Sequence, residues 1–194
     1  MCSERKRIHS ESLKYLSEDV KMLKQKKVSI VVVSALFGAL ALAPGASAAV
    51  TSRPTTAQKL QLQYLVEEEK LARDVYTFLA ENVTSQKFAN IAKSEQTHMD
   101  NVAVILKTYN FFNPTLTRAA GVFRDKGLQA LYTELTTQGS AGVLEAFEVG
   151  VAIEELDIKD LEKYLKSNSM PADMRLMMER LLKASYNHLA AFQR

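Results

Sequence analysis

Glutamate and histidine residues occur in this sequence at spacings that suit the binding of a metal ion. Glu95 and His98 are three residues apart, so in an α-helix both side chains project from one face and can bind the same ion. Glu69, Glu154 and His188 are further candidates elsewhere in the chain. Carboxylate oxygens and imidazole nitrogens are ligands that suit iron and manganese. The residue types therefore predict a metal centre, provided that the fold brings them together.

Four long amphipathic segments are predicted to be α-helices and to carry these residues. Their apolar residues recur at alternating three- and four-residue spacing, which is the helical period. The segments cover about 56–82, about 85–109, about 140–166, and the chain that follows a turn at 167–169. No segment alternates between apolar and polar residues with the period of a strand, so strands are not expected. The predicted fold class is all-α.

The connections between these segments predict how the helices are arranged. The first and last turns are short, whereas the stretch 110–139 separates the second helix from the third. This stretch contains Gly121, Gly127 and a short amphipathic piece at 128–135, and we expect it to be a connection that adds nothing to the core. Ser140 is the predicted N-cap of the third helix. The prediction is a four-helix bundle, in which two antiparallel helical hairpins are joined by a long crossover containing a short helix.

Each predicted helix interrupts its apolar face with polar side chains. The interruptions are Glu69 in the first helix, Glu95 and His98 in the second, Glu154 in the third, and Ser185 and His188 in the fourth. Burying a carboxylate costs on the order of several kcal/mol unless it is paired or bound to a cation. Three glutamates with two divalent ions leave one positive charge, which a bridging hydroxide would cancel. A dinuclear centre is therefore electrically reasonable.

Some of these assignments have alternatives. Residues 67–69 are three consecutive glutamates, and such a run is typical of a solvated helix face. At most one or two of the three are expected to point inward, and Glu68 is the alternative to Glu69 as a ligand. Glu155 would replace Glu154 if the third helix were rotated. A lone histidine such as His188 is also typical of a core or edge position without a ligand.

Other polar residues have two interpretations each. Tyr76 and Tyr186 could hydrogen-bond the centre or transfer electrons, or they could simply pack. Arg73, Asp157 and Asp160 could orient the ligands, or they could form surface ion pairs. The sequence leaves these alternatives open.

Four stretches of the chain resemble a known class of metal proteins. EEEKLARDVYTFLA resembles the first helix of rubrerythrin-type ferritin-like proteins, in which a ligand glutamate (here Glu69) is followed by Ala-Arg and then by a tyrosine (here Tyr76). IAKSEQTH resembles their second-helix Glu-x-x-His. Together with VGVAIEELDIKDL and SYNHLAAF, residues 58–192 resemble the bacterial and archaeal ferritin-like family called domain of unknown function 2202. The resemblance implies a carboxylate-bridged diiron or dimanganese fold, in a family to which no reaction is assigned.

The fourth helix departs from the rubrerythrin pattern. That pattern has Glu-x-x-His in this helix, whereas the chain has Ser185-x-x-His188. Because one carboxylate is missing, a mononuclear or asymmetric centre becomes an alternative to the standard dinuclear one.

The first 48 residues are predicted to be a secretory signal peptide, and 49–194 a single domain. Three lysines at 24–27 precede the apolar run 28–43, and the small residues of an A-x-A site end at residue 48. The run is shorter than the ~20 residues of a spanning helix. We therefore expect cleavage near residue 48, export to the periplasm or the exterior, and no stable membrane anchor. A start at Met22 would give a more compact signal peptide, so residues 1–21 are hypothesised to be an over-extended start.

Charge and cysteine content exclude two classes of function. Residues 49–194 contain 17 Lys and Arg against 18 Asp and Glu, so the domain lacks the positive charge that nucleic-acid binding needs. Cys2 is the one cysteine of the chain, which excludes a cysteine-ligated iron–sulfur or zinc site. Electrons for any redox reaction would therefore come from an external donor.

The sequence thus predicts an exported metal-binding bundle that contains iron, with manganese as the alternative. Glu69, Glu95 and Glu154 would hold or bridge the metals, and His98 and His188 would be terminal ligands; no separate acid or base is assigned. The expected chemistry is that of an oxidoreductase, such as oxidising ferrous iron or reducing peroxide or dioxygen. The alternatives are a non-catalytic metal-binding or stress-related interaction bundle with a degenerate site, and a structural homodimer that associates through the bundle groove.

Overall fold

The computed structural model describes residues 53–194, and over that range the chain forms five α-helices and no β-strand. The helices are α1 Thr56–Asn82, α2 Gln86–Thr108, α3 Lys126–Gly139, α4 Val143–Leu165 and α5 Ala172–Phe192. The all-α prediction is confirmed. The proposed signal peptide and its cleavage site lie outside the described residues. Among the helices from residue 53 onward, none combines the length and apolar character needed to cross a membrane.

Local capping explains where several helices begin. Thr55 and Gln58 form a capping box at the start of α1, because each side chain accepts a hydrogen bond from the other's backbone N–H. The side chain of Asp125 accepts from the first backbone N–H groups of α3. Ser140, however, does not begin the third long helix as predicted. Its hydroxyl donates to the carbonyl of Thr136, 2.7 Å away, so Ser140 ends α3, and Gly142 is the N-cap of α4.

The contacts show two antiparallel hairpins. In the first, Glu69 of α1 lies against His98 of α2. Further along α1, Arg73 donates to Gln96, which precedes His98 on α2. In the second, the hydroxyl of Ser185 on α5 donates to Asp157 of α4, and His188, further along α5, lies near Glu154, which precedes Asp157 on α4. The predicted pair of hairpins and the long connection with its helix are therefore present. The finer prediction of a ferritin-like arrangement stays a prediction.

The core consists of two apolar clusters separated by a polar layer. The aromatic cluster contains Tyr76, Phe88, Phe123, Phe192 and the aliphatic residues around them. The methionine cluster contains Met170, Met174, Met177, Met178 and neighbouring leucines. Each of α1, α2, α4 and α5 contributes to both clusters and crosses the layer between them with polar side chains. The interruptions seen in the sequence therefore lie at one level of the bundle.

The third helix is a core element, which corrects the prediction that the connection adds nothing to the interior. Leu128 and Leu135 of α3 are 1% and 4% exposed and belong to the aromatic cluster. α3 also approaches α1 closely, since a Cβ on Gly139 would lie 2.5 Å from a methyl carbon of Leu79. Because the amphipathic pattern was short and glycines flank it, the sequence did not reveal that this helix is covered on one side.

The connection before α3 is held to the outer face of α1 by charged residues. Asp74 accepts a hydrogen bond from the N–H of Gly121, 2.8 Å away, and Lys70 donates to the carbonyl of Ala119 at 2.8 Å. Lys70 also pairs with Asp74. Glu67 accepts from the backbone N–H groups of residues 124 and 125. α1 is therefore surrounded on all sides, which explains why charged residues on every face of its middle turns are buried.

Candidate metal centre

The polar layer between the two apolar clusters brings together the five predicted ligands. They come from four helices: Glu69 from α1, Glu95 and His98 from α2, Glu154 from α4 and His188 from α5. The three glutamates are only 1–2% exposed, and the side chain of His188 is 13% exposed. Each of these residues lies within the apolar stripe of its helix, and that stripe faces the interior of the bundle.

Glu95 lies between the two histidines. Its Oε2 atom is 2.7 Å from Nδ1 of His98, and its Oε1 atom is 2.8 Å from Nδ1 of His188. Glu69 Oε2 is 3.2 Å from His98 Nδ1, and Glu154 Oε2 is 3.6 Å from His188 Nδ1. The donor atoms thus form two triads, each with its ligand atoms within 4.8 Å of one another, and Glu95 belongs to both.

Several of these buried atoms lack a hydrogen-bond partner. Glu95 Oε1 and His188 Nδ1 are close, but their geometry is not that of a hydrogen bond, and Glu69 Oε1 has no partner either. Leaving such atoms buried and unsatisfied costs about 1–3 kcal/mol each. Oxygen and nitrogen atoms that converge without hydrogen-bonding are the arrangement that a cation satisfies. The residues present therefore fit a metal ion.

The electrostatics of the two histidines show how strongly the carboxylates act on them. Burial by itself would lower the pKa of His98, but the adjacent Glu69 and Glu95 raise it to about 11. Burial likewise opposes the charge on His188, whose pKa is raised to about 9 by Glu154 and Glu95. Without a metal, these pKa values favour the doubly protonated, positively charged form of both imidazoles at neutral pH.

The three glutamates differ because their neighbours differ. Burial raises the pKa of Glu69 to about 8 and that of Glu154 to about 7, against the opposing effect of the adjacent imidazoles. Burial also acts to raise the pKa of Glu95, but its two imidazole neighbours outweigh burial and lower the pKa to about 2. Protons thus supply the positive charge in the metal-free cluster, and a divalent cation could replace them.

Tyr76 contacts the centre directly. Its hydroxyl donates a 2.7 Å hydrogen bond to Oε1 of Glu154, and its ring is fully buried in the aromatic cluster. Tyr76 therefore both packs in the core and hydrogen-bonds to a candidate ligand. Tyr186, by contrast, is 46% exposed and donates to Glu162 at the surface, so it does not reach the centre.

Ser185 occupies the position where a fourth-helix glutamate was expected. It is 1% exposed, and its hydroxyl donates to Oδ2 of Asp157. The other oxygen of Asp157, Oδ1, is buried without a partner. The fourth-helix position thus contributes a hydrogen bond to a carboxylate on α4 instead of a carboxylate of its own. Asp157 therefore adjoins the centre, whereas Arg73 pairs with Asp74 and does not contact the five candidate ligands.

The structure places the alternative ligands as well. Glu69 faces His98, while Glu68 is buried elsewhere, and Glu155 is half-buried without a contact to either histidine. The interpretation of residues 67–69 as a solvated face is wrong, because all three glutamates are buried, although only Glu69 contacts a histidine of the centre. The prediction failed because it treated α1 as a surface helix with one solvated face. The residues missed for the same reason include Lys70, which is 1% exposed.

Over residues 53–194, the fold and the site together define an all-helical domain with a buried carboxylate–imidazole cluster that could hold metal. Residues 58–194 match the family described as uncharacterized protein domain DUF2202, and the chain belongs to that family.

Two comparisons, one of sequences and one of solved structures, both give the protein MJ0754. The chain is 44% identical over 128 residues to uncharacterized protein MJ0754 of Methanocaldococcus jannaschii, covering 66% of this chain and 69% of that protein. It also resembles the crystal structure of hypothetical protein MJ0754 from Methanococcus jannaschii, with a TM-score of 0.69 and 40% identity over 75% of this chain and 83% of that one. These matches support the fold and the family.

Proposed function

We propose that this chain is an exported, ferritin-like metal-binding protein whose carboxylate–histidine centre holds iron, with manganese as the alternative, and acts as an oxidoreductase. The observation that supports it is the position of Glu95, which belongs to both triads of buried donor atoms. A carboxylate shared in this way can hold two ions side by side. Each triad consists of Glu95, one further glutamate and one histidine, so the two triads offer the same types of ligand.

Each residue of the centre has a role in the proposal. Glu69 and His98 would complete one side, Glu154 and His188 the other, and Glu95 would hold both. Iron or manganese bound there would supply one-electron chemistry, such as oxidation of ferrous iron or reduction of peroxide or dioxygen. The apolar clusters on either side of the layer restrict the access of water.

Two further features of the chain complete this scheme. Tyr76 holds a proton on its hydroxyl, 2.7 Å from Glu154 Oε1, and so fixes the orientation of that carboxylate. With Cys2 as the one cysteine, the chain has no cysteine-ligated relay, and an external electron donor is part of the proposal.

The proposal is tested by metal content and oxygen consumption. Metal-free protein is loaded with Fe²⁺ without oxygen, the bound iron is measured by elemental analysis, and oxygen uptake is then followed. We expect up to two ions per chain, one for each triad, and rapid oxygen uptake. Glu95→Ala should lose both ions, because both triads need this residue. Wild-type iron binding in Glu95→Ala would overturn the proposal.

Glu155, which follows Glu154 on α4, provides a matched control. Glu154→Ala should lose one ion, whereas Glu155→Ala, which removes the same charge from the same turn of α4, should bind iron as the wild type does. Tight iron binding with no consumption of oxygen or peroxide would instead support a non-catalytic metal-binding or stress-related interaction bundle. The observation that favours this second candidate is Ser185, which supplies no carboxylate.

Export and self-association are separate parts of the proposal. Export predicts that the protein recovered from the periplasm or the medium begins near residue 49. A homodimer that depends on the metal centre would change its mass in light scattering after chelation, whereas a purely structural dimer would not.

A further inference from the structure

Three large apolar side chains are exposed where the start of α1 meets the connection before α3. Leu60 of α1 is 60% exposed, and Phe112 and Leu116 of the connection are 58% and 77% exposed. A direct contact joins the two segments, because Gln63, one turn beyond Leu60, donates from Nε2 to the carbonyl of Phe112, 2.7 Å away. These apolar side chains therefore belong to one side of the domain.

The conformation of the connection makes its apolar side chains project. Phe111 packs against the methionine cluster, whereas Phe112, the next residue, is exposed. Asn113 Oδ1 accepts hydrogen bonds from the N–H and the hydroxyl of Thr115, at 2.9 and 2.8 Å, and so orders the turn that carries Leu116. Exposed apolar side chains that are grouped in this way mark an interaction surface.

The same two segments are positively charged. Within 56–66 and 110–127 there are four basic residues and one acidic residue, Asp125, whose carboxylate accepts from the first backbone N–H groups of α3. The domain 49–194 as a whole carries one net negative charge, so this positive charge is local. In the part of the chain that the structure describes, none of the four basic residues forms a salt bridge. They are Lys59, Arg118, Arg124 and Lys126.

Two of these cations lie directly beside aromatic side chains of the connection. The guanidinium carbon of Arg124 is 5.2 Å from the ring centroid of Phe112. Nζ of Lys59 is 5.4 Å from the ring centroid of Phe111. We call the three exposed apolar residues and the four basic residues together the basic apolar surface.

We propose that the basic apolar surface attaches the domain reversibly to an anionic lipid bilayer. The apolar side chains would enter the boundary between headgroups and acyl chains, and the cations would meet the anionic headgroups. A second copy of the chain fits this surface less well, since it would bring like charges together. A bilayer also accepts side chains that project from a turn without needing a matching pocket. The attachment does not involve the five-residue centre.

The test places a fluorescent reporter on the surface itself. An environment-sensitive fluorophore is attached to Leu116→Cys in the full chain, with Cys2→Ser removing the native thiol. Leu144→Cys is the matched control, because Leu144 is 78% exposed but lies at the start of α4, whereas the chain just after α4 contacts the start of α1. The vesicles are either phosphatidylcholine alone or a mixture of phosphatidylcholine and phosphatidylglycerol.

We expect the emission of the Leu116→Cys label to shift to shorter wavelength with the anionic vesicles and to stay unchanged with the neutral ones. The Leu144→Cys label should not shift with either. Because both variants keep the full chain, attachment through residues outside the described range is common to both, and only the position of the label differs. No shift at Leu116→Cys, or an equal shift at Leu144→Cys, would overturn the proposal.

Further changes in the labelled Leu116→Cys chain test the two components of the surface. Arg124→Gln should raise the lipid concentration that gives half of the shift by about fivefold, the effect of one basic residue near an anionic surface. Phe112→Ser should raise it as well, because less apolar area is buried. Lys183→Gln, at an exposed position of α5, is the control and should leave it unchanged. An unchanged value in either Arg124→Gln or Phe112→Ser would overturn the proposal.

Folding and other partners are checked independently. Circular dichroism and bound iron should match the wild type in every variant, since each changed side chain is exposed; if Phe112→Ser does not fold, Leu60→Ser takes its place. A shift of the Leu116→Cys label with polyglutamate but not with vesicles would assign the surface to an acidic protein. A doubled mass in light scattering that Phe112→Ser abolishes, without vesicle binding, would assign it to a second copy. Either result would overturn the proposal.

Discussion

The hydroxyl of Tyr76 on α1 and the carboxylate of Glu154 on α4 are joined by a 2.7 Å hydrogen bond inside the bundle. The ring centroids of Tyr76 and Phe192 are 5.2 Å apart. Tyr76 thus belongs to the aromatic cluster through its ring and contacts the polar layer through its hydroxyl. Gly150 makes this packing possible, because a Cβ there would lie 2.6 Å from the ring of Phe192. The orientation of one candidate ligand is therefore fixed by the apolar core.

Removing that hydrogen bond should destabilise the metal-free protein. In Tyr76→Phe the buried carboxylate of Glu154 loses its donor, and a hydrogen bond to a charged group contributes about 1.5–3 kcal/mol. We expect the free energy of unfolding to fall by this amount in urea titrations. Tyr186→Phe is the control, since that exposed hydroxyl bonds to exposed Glu162, and its change should stay within about 0.5 kcal/mol. Equal losses in the two variants would contradict the assignment.

The two histidines should serve different ions. His98 belongs to the triad with Glu69, and His188 to the triad with Glu154. We therefore expect His98→Ala and His188→Ala each to keep one tightly bound iron, whereas Glu95→Ala keeps neither. Elemental analysis after anaerobic loading measures this directly. Complete loss of iron in either single histidine variant would show that the two sites do not bind independently.

Metal uptake should be tighter at higher pH. In the metal-free protein the pKa values of Glu69 and Glu154 are raised to about 8 and 7, and those of His98 and His188 to about 11 and 9. These groups hold protons near pH 7, and a metal binds only their deprotonated forms. Binding therefore releases protons, and the affinity for Mn²⁺ should rise between pH 6 and about 8.

Proton release can be measured by calorimetry in buffers of different ionisation enthalpy. We expect more than one proton per chain at neutral pH when the centre fills. Glu155→Ala should release the same number as the wild type, because its carboxylate lies outside both triads. An affinity that does not change over this pH range would be inconsistent with ligands that hold protons.

Truncating the third helix at its buried face should destabilise the fold. Leu128 is 1% exposed in the aromatic cluster, and Leu128→Ala should reduce the free energy of unfolding by about 2–5 kcal/mol through lost burial and a residual cavity. Leu116→Ala, at a residue 77% exposed in the connection, should change it by less than about 0.5 kcal/mol. Urea unfolding of both variants tests whether α3 is part of the core.

The sequence by itself determined the helices and the level of the polar layer. α1 has the bounds that its periodicity predicted, and α2 matches within a residue at each end, because an apolar stripe at the helical period is a local property of the chain. Glu69, Glu95, His98, Glu154 and His188 were found because each interrupts such a stripe. Their convergence followed once the helices were taken as antiparallel neighbours.

Only the tertiary structure decided what surrounds each helix. The sequence could not show that Glu67, Glu68 and Glu69 are all buried, because that depends on the connection and α4 covering faces of α1 that periodicity assigns to solvent. It could not show that Ser185 binds Asp157, or that α3 joins the core, since both contacts join residues distant in the chain. Periodicity reports the face on which a side chain lies; packing between helices decides what that face meets.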